Sequence, residues 1–177
     1  TLSFEQQGGA ATAKVIPMAM GLVSREGRAL PLQLEGEAHA TGTERVLVLD
    51  EAKSFFTFVG IDHEPVASLL RGLSAPAILV DTLSDADLLV LLQHDSDPFN
   101  RWEAAQRLAF NSLLAAIRGE RSAQLDASYV DALRSVLRHP QLDAAFKALV
   151  LDLPKENLIA EQLRPVDPQL IHTVREA

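Results

Sequence analysis

Between Leu73 and Leu114 the character of the chain changes once and does not change back. Before this stretch, apolar residues come in short runs bounded by Gly, Pro, Asp and other polar residues. After it they recur at helical spacing. A period of two marks half-buried strands and a period near 3.6 marks amphipathic helices. One chain carrying the two patterns in succession is therefore constrained to a strand-built part followed by a helix-built part.

In the first part, Leu2 and Phe4 alternate with Ser3 and Glu5 over Thr1 to Gln7, and Gly8-Gly9 opens a loop. Val15 to Val23 is a continuous apolar run. Arg25 to Arg28 supplies a hairpin turn with Gly27 available for positive φ. Leu30, Leu32 and Leu34 alternate around Pro31, which favours a sheet edge. Glu35 to Glu44 reads as a polar loop. Arg45 to Asp50, Ser54 to Val59, Val66 to Leu73 and Ala77 to Asp81 complete about seven short strands, the spacing of an immunoglobulin-type sandwich. The expected boundaries are a β-sandwich over 1–83 and a helical domain over 84–177.

The helical part opens at Ser84, where Ser84 and Asp87 form a capping box and Asp85 adds negative charge to the first turn. That helix ends near Asp95-Ser96-Asp97-Pro98, acids that read as a solvated turn. A second helix from about Phe99 to Gly119 lines up Trp102, Ala105, Leu108 or Ala109, Ser112 and Ala116. Ser128 and Asp131 open a third, which closes at His139 before Pro140. Further helices are expected over Asp143 to Leu153, Lys155 to Arg164, and from Pro168 onward, with prolines as boundaries. Short amphipathic helices on tight connections bury their faces by stacking, so the fold class is an irregular helical-repeat array after the sandwich. The chain starts on Thr with a strand pattern and stops inside a helical one. Both ends are expected to be truncations.

Composition narrows the partners. Sixteen Lys and Arg against 24 Asp and Glu give a net charge of −8. Nucleic acid and anionic membrane both require a basic footprint, so neither is expected. With no cysteine, disulfides and thiolate metal sites are excluded, and a reducing, cytoplasmic setting is expected. No apolar run approaches the ~20 residues of a membrane span.

Local chemistry is sparse. His63-Glu64 begins like a His-Glu-x-x-His zinc motif, but Ala67 stands where the second His belongs and Pro65 interrupts the helix that the motif needs. His39, His63, His94, His139 and His172 have no ligand spacing. Asp85, Asp87, Asp95 and Asp97 lack the central Gly and distal Glu of a calcium loop. Gly8-Gly9 lacks a phosphate-binding pattern, and no serine sits in a Gly-x-Ser-x-Gly elbow. No catalytic or metal residue is assigned. Arg101 and Trp102, in the joint between the two patterns, are the candidates for interdomain packing, with Trp102 expected as a buried anchor.

Phe99-Asn100-Arg101-Trp102-Glu103-Ala104-Ala105-Gln106, together with Ser74-Ala75-Pro76 and Ser84-Asp85, resembles the C-terminal part of the bacterial aminopeptidase N family of thermolysin-like zinc aminopeptidases. The resemblance implies an immunoglobulin-like domain and the start of a helical cap domain. The implied parent removes N-terminal residues from peptides with zinc held by motifs absent from this chain. The chain would then be a non-catalytic spacer and part of a lid over the active site. Its partner would be the catalytic domain of the same polypeptide, and peptides would be the parent's substrates. The alternative is a stand-alone module, a sandwich binding protein or glycan with the helices as adaptor.

Overall fold

A computed structural model describes residues 1–6 and 14–177. The loop expected at Gly8-Gly9 lies outside them. The chain divides into two compact units, Thr1–Leu83 with His94–Asn100, and Ser84–Gln93 with Arg101–Ala177.

The first unit is an Ig-like sandwich. Strands β1 (Leu2–Glu5) and β4 (Lys53–Phe56) form one antiparallel sheet. The other has the order β3 (Glu44–Leu49), β2 (Ile16–Val23), β5 (Val66–Leu69). Even-numbered residues of β2 face inward, so Met18, Met20 and Leu22 pack with Leu47 and Leu49 against Leu2, Phe4 and Phe56 of the other sheet. Phe4 and Phe56 meet edge to face, 6.1 Å between ring centres, an arrangement favoured by the ring quadrupoles. The loop before β3 is fastened by a two-pronged ion pair, Arg45 Nη1 and Nη2 donating to Glu37 at 2.9 and 2.8 Å. These hydrogen bonds hold the Glu37 carboxyl down at about 2.

Two expected strands are absent among the described residues. Leu30 to Leu34 joins the sheets only through single bridges, Val23 to Ala29 and Leu34 to Phe58. Leu32 instead exchanges backbone hydrogen bonds with the loop ahead of β3, Leu32 N to Gly42 O at 2.7 Å and Thr41 N to Leu32 O at 3.0 Å. Pro31, lacking an N–H, cannot extend a ladder there. Ala77 to Asp81 alternates as a strand would, and Leu79 does reach the core. Ile78 and Val80, however, are 95% and 83% exposed, and no neighbouring strand takes up the backbone. The Arg25 to Arg28 turn forms as expected, with Gly27 at φ +84.

Six helices follow: α1 (Asp85–His94), α2 (Pro98–Ile117), α3 (Ala127–Arg138), α4 (Ala144–Leu151), α5 (Glu156–Glu161) and α6 (Pro168–Arg175). The Ser84 capping box is present in both directions. Asp87 Oδ2 accepts from Ser84 N at 2.8 Å, and Ser84 Oγ accepts from Asp87 N at 3.3 Å. The start of α3 differs from expectation. Asp126, not Ser128, is the N-cap and accepts from Ser128 N, while Asp131 turns outward to Arg134. Asp143 and Asp167 cap α4 and α6 in the same manner, each satisfying amides that a helix start leaves open.

Within the second unit, Ala104, Ala105, Leu108, Ala109, Ser112 and Leu113 form the buried stripe of α2. Tyr129, Ala132 and Val136 of α3 are buried as well, and their spacing of three and four residues defines one helix face. Tyr129 Oη donates to Ala105 O at 3.2 Å. Further along, Leu113 packs with Ile159, Leu163 and Ile171, which joins α2 to α5 and α6. No helix among the described residues is long and apolar enough to cross a membrane.

Candidate functional site

The densest arrangement of buried polar groups lies in the first unit. Strand β5 ends at Leu69, and Leu70 adopts a left-handed conformation, φ 53, before a short 3-10 turn over Arg71–Leu73. A bulky residue rarely takes this conformation, and here it accompanies a reversal that tucks Arg71 beneath the sheet. Only 7% of Arg71 is exposed. Its guanidinium lies so close to Gly21 of β2 that a Cβ there would sit 2.3 Å from Nη1. Any larger residue at position 21 would displace the charge.

Three groups meet that guanidinium. Asp95 Oδ1 lies 3.4 Å from Nη2, Glu44 Oε2 lies 3.2 Å from Nε, and Nη2 also donates to Ser96 Oγ. The turn carrying Asp95 is knitted to itself and to β5. Asp95 accepts from Asp97 N at 2.9 Å and Asp97 accepts from Asn100 N at 2.9 Å. Asp97 Oδ2 accepts from Gly72 N, also at 2.9 Å. Asn100 Nδ2 donates to Ser68 Oγ and to Leu69 O, both at 2.9 Å. Nearby, Ser74 Oγ accepts from Ala19 N of β2 at 2.9 Å.

These contacts correct the reading of the Asp95 turn. Asp97 is half-buried, but the Asp95 side chain is fully enclosed. Burial pushes its carboxyl above the ordinary aspartate value, against the lowering effects of Ser68, the Asp97 amide and Arg71. The partner that makes burial possible stands 24 positions earlier, so local spacing gave no sign of it. Asn100 belongs to the same group. It stands just before Arg101 and Trp102, and its side-chain amide is what reaches β5. Its neighbour Arg101 is 6% exposed, and Trp102 is half-buried rather than enclosed.

Chemically the arrangement is a structural clamp. A carboxylate, a guanidinium and an amide are each bonded to neighbours within the unit. Among the described residues no three of His, Asp and Glu come together to hold a metal ion. His172 pairs with Glu156 at 2.7 Å, and that hydrogen bond raises its pKa. Of the aromatic rings on the sandwich, Phe55 is 68% exposed, but one exposed ring does not make a stacking platform.

Burial keeps Asp95 protonated to higher pH in the folded than in the unfolded chain. Its contribution to stability is therefore full below the ordinary aspartate range and is lost as pH rises through the raised value. Relative to Asp95→Asn, the wild type should gain stability as pH is lowered toward the ordinary aspartate value, about 4, measured as the difference in urea midpoints. A difference that shrinks on acidification would contradict this account of the carboxyl.

The chain resembles known proteins along nearly its whole length. Residues 1–82 match the family described as domain of unknown function DUF3458, Ig-like fold, and residues 85–177 match its companion, DUF3458_C, ARM repeats. Aminopeptidase N of Escherichia coli is 35% identical over 165 residues, covering 92% of this chain and 18% of that protein. Aminopeptidase N of Caulobacter vibrioides is 38% identical over 158 residues, 89% of this chain and 17% of that one. The crystal structure of Legionella pneumophila aminopeptidase A in complex with aspartic acid superposes with a TM-score of 0.71 at 25% identity, covering 93% of this chain and 18% of that one. The chain thus spans less than a fifth of the length of these relatives. It belongs to the DUF3458 family, an Ig-like domain followed by ARM-type repeats, and is homologous to the C-terminal part of aminopeptidase N.

Proposed function

We propose that this chain serves as a non-catalytic segment of a zinc-dependent aminopeptidase that removes N-terminal residues from peptides in the cytoplasm. In this reading the sandwich is a spacer, and the helical array is part of a wall that restricts entry to the active site. The observation that carries it is the likeness to aminopeptidase N over nine-tenths of this chain but less than a fifth of the relatives' length. The residues described here do not fit a zinc ion, so no chemical step is assigned to them. Restricting access sets specificity by exclusion rather than by contact. A rigid sandwich and a curved stack of helices suit such a role.

The reading is tested with antibody raised against this chain and applied to lysate of the source cells. The captured polypeptide should be several times larger than 19.2 kDa and should cleave an alanyl anilide. A captured band at 19.2 kDa without peptidase activity would sink the proposal and favour a stand-alone module.

The domain boundary proposed for this role lies between 83 and 84, with Arg101 and Trp102 holding the sandwich and the helices in one geometry. Their place just after the clamp residue Asn100 supports this. Trp102→Ala should split thermal unfolding into two transitions. An unchanged single transition would remove Trp102 from that role.

A further inference from the structure

The second unit contains a cavity of about 140 Å³. This is well above the ~30 Å³ occupied by one water and below the ~300 Å³ at which drug-sized ligand pockets begin. A small organic molecule fits; a peptide does not. Its apolar wall comes from Leu89 of α1 and Leu108 of α2.

Two buried hydroxyls also line it. Tyr129 is 5% exposed and donates to Ala105 O, which leaves its oxygen able to accept. Ser112, in the middle of α2, is 6% exposed. A hydroxyl oxygen keeps acceptor capacity even while its proton is donated, so both can accept from an occupant of the cavity.

Charged groups of both signs complete the lining. Asp85 accepts from Asn111 Nδ2 at 2.7 Å, and a carboxylate has room for further donors. Asp126 caps α3, and its hydrogen bonds with Ser128 hold the carboxyl below its ordinary value, so it is ionised. Arg121 lies near enough to contribute to that lowering. A simple cation would be opposed by Arg121 and a simple anion by the two aspartates. A ligand carrying both charges a few atoms apart meets neither objection.

We propose that this cavity binds a free amino acid with a small aliphatic side chain. Asp85, Asp126 and the Ser112 hydroxyl would receive its ammonium, Arg121 its carboxylate, and Leu89 and Leu108 its side chain. The inference stands on the cavity's own chemistry and does not rest on the peptidase reading.

The test is titration of the isotope-labelled 177-residue chain with L-alanine, followed by NMR at the amides of Asp85, Ser112 and Tyr129. Saturable shifts confined to this region are expected. Propionate, which lacks the ammonium, and ethylamine, which lacks the carboxylate, should each bind at least about tenfold more weakly. Arg121→Gln, at an exposed position, should weaken L-alanine by a similar factor. Ser112→Ala should do the same, with the dispersion of the Tyr129 amide reporting that the fold is intact. The proposal is overturned if L-alanine gives no saturable shift up to its solubility. It is equally overturned if either analogue matches L-alanine, or if Arg121→Gln leaves binding unchanged.

Discussion

A guanidinium buried against a glycine is the constraint around which the sandwich is arranged. Removing Arg71 from water is costly, and that cost is met only where opposite charge and hydrogen-bond acceptors stand at the right distance. Asp95, Glu44 and Ser96 supply them. The consequences extend through the unit. Residue 21 must lack a side chain, the chain must reverse sharply after β5, and residues 95–100 must return to the sheet. Asn100 then completes the closure through the hydroxyl of Ser68 and the carbonyl of Leu69. A clamp of this kind contributes definition as well as stability, because an apolar substitute at position 71 would specify neither the reversal nor the returning turn.

The helices were legible because their signals are local. Caps, prolines and a 3.6-residue period all fall within a few positions of the element that they define, and the six helices begin and end close to where those residues stand. The one displaced start, at α3, came from Asp126 taking the cap two residues ahead of Ser128 and accepting from the Ser128 amide, a choice between neighbours. Strands are less legible because a period of two records which side chains face inward, not whether a partner strand exists. Ala77 to Asp81 has the alternation and buries Leu79, yet lacks the neighbour that would make it a strand. Leu30 to Leu34 has the alternation too, but meets the sheets only at single bridges, and Leu32 in its middle bonds to a loop. The burial of Asp95 is hidden for the same reason at longer range. An acid between a helix end and a proline looks solvated until a residue 24 positions away is folded onto it.

The clamp also explains why the region that carries the family resemblance is rich in uncommon choices without carrying chemistry. Ser74 accepts from β2, Asn100 reads β5, and Asp95 and Asp97 bind the turn between them. These residues solve a folding problem. Chemistry in the proposed enzyme would lie elsewhere in the polypeptide, and the second unit's cavity, with its hydroxyls and charges of both signs, is a separate opportunity for binding rather than catalysis.

Gly21→Ala probes the central claim most directly, because it adds one methyl group where the guanidinium lies and changes no polar group. The account predicts a loss of about 3 kcal/mol in unfolding free energy, the scale of overpacking combined with a disturbed buried ion pair. Amide exchange protection over residues 66–72 and 95–100 should fall together. A variant within about 0.5 kcal/mol of wild type, as for an ordinary surface change, with protection in both segments intact, would show that the buried arginine does not organise the sandwich.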